Sequence, residues 1–296
     1  MKEDDSNQMS TRLLNLSTKF VAVTVLFLTG NTASYSETLK IDKSRPVWNA
    51  VRYLENEYGW LITYEESSYY VNLDHPDVVP SNPDGPKSAN ETSVRYLGKR
   101  PNGGGLLIPS EKHLEVTFED PHGLGDDNDK ERILNAIVQA SSAEGTGYFK
   151  VLHEGNYWHI VPTSTRDESG RLQPYVSLLD TKVSLPQKDR SLGEAVHEVL
   201  KQIGSARGVT IGEGMIPTNM FISRRDDSEV HDEPARDVLD ELFETAGRSG
   251  AAPDSPTLFR VTWTINFDPG GNQFVFNAHG LVTTPQALTK QTHVTR

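Results

Sequence analysis

Residues 191–211 read SLGEAVHEVLKQIGSARGVTI, and the prediction of the fold starts from this stretch. Apolar residues recur there at the spacing of one helical face, which predicts a helix with a single buried stripe. The stripe consists of Val196, Val199, Leu200 and Ile203. Ser191 and Glu194 have the spacing of a capping box, and Gly208 is placed to end the helix. Residues 209–211 then predict a strand.

The flanking sequence extends this pattern in both directions. Residues 182–185 predict a strand before the helix, and residues 220–222 predict another after it. Asp232 is placed to cap a second helix with Pro234 near its start. The apolar stripe of that helix is Val238, Leu239, Leu242, Phe243 and Ala246. Two apolar runs around the turn 269–272 predict a closing hairpin, with strands at 259–265 and 274–276.

An earlier part of the chain has the same order of elements. Ser44 is placed to cap a first helix that Gly59 ends, and Asn128 and Glu131 predict a capping box for a second helix. The stripes are Val47, Ala50, Val51, Leu54 and Tyr58 in the first helix, and Ile133, Leu134, Ile137 and Val138 in the second. Strands are predicted at 39–41, 60–64 and 114–118, and a hairpin at 148–152 and 157–161.

The two patterns predict an α+β protein with two tandem β-α-β-β-α-β-β units, each having a small mixed sheet covered by two helices. Omitting one insertion brings the helices of the two units into similar spacing, which favours a duplication. The expected organisation is a leader at 1–36, a first unit at 37–162 with a loop insert at 71–113, a linker at 163–174, a second unit at 175–282 and a polar tail at 283–296.

Residues 1–36 have the features of an export signal. Arg12 and Lys19 flank an apolar run at 20–28, which is shorter than the roughly 20 residues that span a bilayer. Small residues near Ser34 or Ser36 favour cleavage there. Either Met1 or Met9 could be the start, and an uncleaved anchor or a buried strand is the alternative. The expected location is therefore the periplasm or the medium.

Charge and cysteine content exclude several classes of protein. The chain has 29 Lys and Arg against 41 Asp and Glu, a net charge of −12, which disfavours binding to nucleic acids or anionic lipids. It has no cysteine, which excludes thiol nucleophiles, thiolate metal sites, disulfides and lipoprotein anchoring.

The pattern resembles the secretin and TonB receptor short N-terminal (STN) domain. The resemblance lies in residues 192–200, 208–211 and 235–247, with matching pieces at 50–54 and 157–162. It implies a periplasmic module that contacts other proteins and has no catalytic residues. An envelope protein is the partner this resemblance implies.

The best metal candidates lie in one acidic run, and residues 126–129 share its ambiguity. Carboxylates so closely spaced could bind a hard cation such as Ca²⁺. The run also precedes a predicted helix, where acidic residues complement the helix dipole, so a structural role is the alternative. The candidates are Asp226, Asp227, Glu229 and Asp232. The nine histidines lack the spacing of a known zinc motif, so no cofactor is expected.

Tyr64, Tyr69 and Tyr70 lie beside the insert and are the candidates for an exposed aromatic contact with a partner. The leading interpretation is an exported, non-enzymatic protein-interaction module of the bacterial cell envelope. The alternatives are a secreted hydrolase that uses carboxylates, either with Ca²⁺ or without it, and a carbohydrate-binding module that uses the tyrosines. A cleft that gathers two carboxylates and a histidine would favour the hydrolase.

Overall fold

The computed structural model describes residues 36–68, 94–99, 105–109, 112–119, 125–167, 171–248 and 258–283. The strands are β1 Ser36–Lys43, β2 Ile62–Glu65, β3 Val94–Lys99, β4 Gly105–Pro109, β5 Lys112–Glu119, β6 Phe149–Glu154, β7 Tyr157–Pro162, β8 Ser164–Arg166, β9 Leu172–Pro174, β10 Lys182–Leu185, β11 Arg190–Ser191, β12 Ile211–Glu213, β13 Arg225–Asp226, β14 Val230–Pro234, β15 Leu258–Asp268 and β16 Gln273–Thr283. The helices are α1 Pro46–Tyr58, α2 Asp127–Ala143, α3 Leu192–Arg207, α4 Thr218–Ser223 and α5 Ala235–Arg248, with a 3₁₀ turn at Leu178–Asp180. Helices packed on a mixed sheet agree with the predicted α+β class.

A six-stranded mixed sheet in the order β12-β16-β15-β2-β7-β6 runs through the molecule. Three of its strands come from residues 36–162, the N-terminal half, and three from residues 175–283, the C-terminal half. The halves join where β15 pairs in parallel with β2. The sequence predicts a separate sheet for each unit, whereas the structure places both sets of strands in one sheet.

Strand pairing follows the same scheme in both halves. In the N-terminal half, β2 is parallel to β7, β7 is antiparallel to β6, and β1 is antiparallel to β5. In the C-terminal half, β12 is parallel to β16, β16 is antiparallel to β15, and β10 is antiparallel to β14. Each half also has two long helices at matching places in this order.

The two pairs of helices cover opposite faces of the sheet. Because Tyr64 pairs with Thr264, these two side chains lie on one face, and Ile265 lies on the other. Tyr64 belongs to the core beneath α1 and α2, whereas Ile265 belongs to the core beneath α3 and α5. The molecule therefore has two hydrophobic cores on one sheet.

Buried polar contacts hold the two halves together. The hydroxyl of Tyr157 donates to the carbonyl of Val261 at 2.9 Å. Arg45 pairs with Glu66 at 2.9 Å and also donates to the carbonyl of Phe267 at 2.6 Å. These contacts satisfy polar groups that would be costly to bury alone.

The predicted helical stripes are confirmed. The predicted stripe residues of α1, α2 and α3 are buried, as are residues 238, 239, 242 and 243 in α5. Gly59 and Gly208 end α1 and α3 in the left-handed conformation, both with φ of 66°. The Ser191–Glu194 capping box at the start of α3 is also confirmed.

Three other predicted caps are wrong. Arg45, with φ of 59°, occupies the position predicted for Ser44, since the residue before Pro46 is disfavoured in the right-handed helical region. Asp126 caps α2 in place of Asn128, because its carboxylate accepts from the amide of Asp129 at 2.8 Å. Asp232 lies in β14, and α5 starts at Ala235, whose amide donates to the carbonyl of Thr181 at 2.9 Å.

The structure also changes the connecting segments. The strand predicted at 220–222 is instead part of α4, because so short an apolar run has no periodicity to separate strand from helix. The predicted linker contains the antiparallel pair β8–β9. The predicted loop insert contains the hairpin β3–β4 and the start of β5. The predicted leader up to residue 35 and the tail from residue 284 lie outside the described residues.

Candidate functional site

A groove of about 1020 Å³ lies beside α3, bounded by residues of α4 and β12. The capping box fixes the start of α3 and Gly208 fixes its end. The face of α3 that lines the groove is therefore held in place at both ends. In the six-stranded sheet, β12 is the outermost strand next to β16. The groove therefore lies beside a sheet edge, where a strand has backbone groups available for pairing.

One exposed apolar side chain lines this groove, and a second lies shortly after β12 in the chain. Ile222 lines it and is 69% exposed, and Met215, two residues after β12, is 80% exposed. Phe221 also lines the groove but is buried against Phe243, with ring centroids 5.7 Å apart. Apolar side chains with such large exposed fractions are available for burial against another molecule.

Two pairs of polar residues in the groove bond to each other. His197 Nδ1 lies 2.7 Å from Glu213 Oε1. Glu194 accepts from the amide of Ser191 at 2.6 Å and from its hydroxyl at 3.0 Å, and these bonds hold the pKa of Glu194 below its usual value. These contacts fix the side chains of the groove wall, to which Lys201 adds a positive charge.

The tyrosines that the sequence predicts as partner contacts are not all at the surface. Tyr64 is only 2% exposed and packs against Phe149, with ring centroids 5.6 Å apart. Alternation along β2 points it into the core beneath α1 and α2, so the expectation that it is exposed is wrong. Tyr69 and Tyr70 lie outside the described residues.

The acidic run does not converge on a common point. Asp226 is 8% exposed and accepts from Arg190 at 2.8 Å and from the hydroxyl of Ser228 at 2.6 Å. Arg190 is 1% exposed and needs this counter-charge, which gives Asp226 a structural role. Glu229 contacts His231 at 3.2 Å, while Asp227 and Asp232 join no group of three potential ligands among the described residues.

Within the described part of the chain, two carboxylates and a histidine do meet in one place. They are Glu154, His159 and Asp240, from β6, β7 and α5. Sequence reasoning missed this group, since about 80 residues separate His159 from Asp240. The one available signal is the alternation in β7, which places His159 on the face opposite Trp158.

Comparisons with known proteins leave the family of the chain open. No protein-family model, no curated protein and no solved structure matches it. In the described residues, no helix combines the length and the apolar character needed to cross a membrane.

Proposed function

We propose that this chain is an exported, non-enzymatic protein-interaction module of the bacterial cell envelope, in the periplasm or secreted. In this proposal, an extended segment of an envelope protein pairs with the edge of β12 and places apolar side chains in the groove beside α3. Edge pairing supplies backbone hydrogen bonds, and the groove supplies side-chain selectivity.

The tandem organisation expected from the sequence is part of this proposal. Both halves share one order of elements and one scheme of strand pairing, which supports two copies of an STN-like unit. β2 of the first copy runs parallel to β15 of the second. In this arrangement the two copies face opposite sides of the shared sheet, so their helices cover opposite faces. The shared sheet ends in two edge strands, β12 and β6, and the groove lies beside β12.

The observation that carries the proposal is the position of Ile222 and Met215 beside β12. Their exposed fractions, 69% and 80%, are the largest among the exposed large apolar residues described. A partner that covered them would gain roughly 25 cal/mol for each Å² of apolar surface removed from water.

The burial of the histidine cluster favours binding over the hydrolase alternative. His159 is 1% exposed, between α5 and the sheet, so a substrate has little access to its ring. In the groove, His197 and Glu213 are more accessible. The carboxylate of Glu213 is bonded to His197, however, so it is not a free second group for hydrolysis. The tyrosines beside the insert, Tyr69 and Tyr70, remain a second proposed contact.

Substitution of Ile222 tests the groove. We expect Ile222→Glu to lower the capture of envelope proteins from a periplasmic extract by roughly tenfold, since a charge would be buried at the contact. Capture is measured by quantitative mass spectrometry with the full chain as bait.

Leu172→Glu is the matched control, because Leu172 is also apolar and 45% exposed but lies on β9, away from the groove. Equal capture by the wild type and both variants would disprove the groove as the contact surface. Loss of capture in a Tyr69→Ser, Tyr70→Ser variant alone would move the contact to the insert.

A further inference from the structure

The Glu154, His159 and Asp240 side chains meet at the seam, the region where the N-terminal and C-terminal halves contact each other. His159 Nε2 lies 3.2 Å from Asp240 Oδ2 and 3.7 Å from Glu154 Oε2. The three potential ligand atoms all lie within 4.8 Å of one another. Two residues come from the β6–β7 hairpin and the third from α5, so each is positioned by a regular element.

Two of the three atoms that face the centre of this cluster lack hydrogen bonds. His159 Nε2 and Glu154 Oε2 are both buried and have no hydrogen-bond partner. Asp240 Oδ2, at 3.2 Å, faces Nε2 and is its ion-pair partner when the imidazole is protonated. A buried polar atom left without a hydrogen bond is costly, and a bound cation would satisfy both such atoms at once.

We propose that Glu154, His159 and Asp240 form a Zn²⁺ site that joins the two halves. Zinc accepts imidazole nitrogen together with carboxylate oxygen, and sites with three protein ligands leave a fourth position for water. With zinc–ligand bonds of about 2.0–2.1 Å, tetrahedral geometry separates ligand atoms by about 3.3 Å. The separations of 3.2 and 3.7 Å from His159 are close to this value. Calcium, which prefers a shell of oxygen atoms, fits this donor set less well.

The surrounding residues hold two of the ligands in a suitable orientation. His159 Nδ1 lies 2.7 Å from Thr63 Oγ1, which can accept its proton and leave the lone pair of Nε2 free. Trp263 Nε1 donates to Asp240 Oδ1 at 3.2 Å, leaving Oδ2 to face the histidine. Partners of this kind orient metal ligands and increase their affinity for the metal.

The charge balance around the cluster also suits a cation. Asp240 is only 9% exposed, and a carboxylate buried to this extent needs a counter-charge. The nearby Arg236 has partners of its own, because its Nη2 donates to Ser177 at 3.0 Å and pairs with Asp180 at 2.9 Å. The Glu154 side chain is 42% exposed, which provides a path for the ion and freedom to close on it.

Isothermal titration of the untagged, EDTA-treated chain with ZnCl₂ tests the site. We expect one Zn²⁺ per chain, a weaker response to CaCl₂, and a Co²⁺ adduct with the intense visible absorption of tetrahedral coordination. Zn²⁺ should also raise the Tm, because a ligand that binds only the folded state stabilises it.

Glu154→Gln is the main variant, since this side chain is the most exposed of the three and its loss threatens folding least. It should weaken Zn²⁺ binding by at least about tenfold and abolish the rise in Tm. Glu241→Gln, which alters the exposed carboxylate next to Asp240, is the matched control and should bind like the wild type. Absence of binding in the wild type, or equal affinity in both variants, would overturn the proposal.

Discussion

At the scale of single residues, Glu55 is a carboxyl buried at the seam. Its side chain is 0% exposed and accepts from Arg52 at 2.8 Å, and His279 Nε2 from β16 lies 3.1 Å away. Burial raises the pKa of Glu55 to about 7 and lowers the pKa of His279 to about 4. Between those pH values both groups are neutral, so the carboxyl O–H of Glu55 can donate a hydrogen bond to the imidazole Nε2 of His279.

This pKa makes the contribution of Glu55 to stability depend on pH. The folded state holds the proton above pH 4.5, where the unfolded state releases it, so the stability that Glu55 contributes falls as pH rises towards 7. Glu55→Gln has no proton to lose. We expect its free energy of unfolding, relative to wild type, to increase by about 2 kcal/mol between pH 5 and 7.5 in urea titrations.

His279 also makes stability depend on pH, since its lowered pKa makes the protein more stable as the pH rises towards 6.5. Comparing the variant with wild type at each pH separates the contribution of Glu55 from that of His279. Glu57→Gln is the control, since Glu57 lies exposed on the same helix. A difference between Glu55→Gln and wild type that stays constant with pH would contradict the raised pKa.

At the scale of elements, the last turn of α3 supports one wall of the groove. Gly208 has φ of 66°, and its amide donates to the carbonyl of Gly204. A Cβ at Gly208 would meet no atom within 4 Å, so only the left-handed backbone opposes a side chain there. The energetic role of this glycine is therefore conformational.

Substitution of Gly208 measures that role. Gly208→Ala should destabilise the protein by about 1 kcal/mol, because alanine disfavours the left-handed region. Ser205→Ala, at an exposed position in the same turn, should be neutral or slightly stabilising. Equal urea midpoints for the two variants would contradict the role of Gly208 in ending the helix.

At the scale of the whole molecule, the described residues fall in one compact unit, with two cores on the shared sheet. Ile137 is fully buried in the core of the N-terminal half, and Ile203 is fully buried in that of the C-terminal half. Because β15 pairs with β2, loss of order in one half exposes a strand of the other. The halves should therefore unfold together.

Matched substitutions in the two cores test this coupling. Ile137→Val and Ile203→Val should each destabilise the protein by about 1 kcal/mol and lower a single transition by about 2–4 °C. Far-UV circular dichroism and tryptophan fluorescence should report the same midpoint. Two separate transitions, each moved by only one of the variants, would show that the halves unfold independently.

The local structure was predictable from the chain alone wherever a short range of residues determines it. The spacing of Val196, Val199 and Ile203 predicts the buried face of α3, and Gly208 predicts where that helix ends. The turn at 269–272 predicts the β15–β16 hairpin. These features rest on backbone preference and on periodic burial, which act between near neighbours.

What joins distant parts of the chain was decided only by the tertiary structure. The pairing of β15 with β2 depends on which edges of the sheet meet, and no local pattern encodes that choice. The same packing brings Asp240 to His159, buries Tyr64 and commits Asp226 to Arg190. Each of these contacts joins residues that are far apart in sequence. Which side chains meet across the two halves depends on strand register and on where the helices pack, and neither is set by near neighbours in the chain.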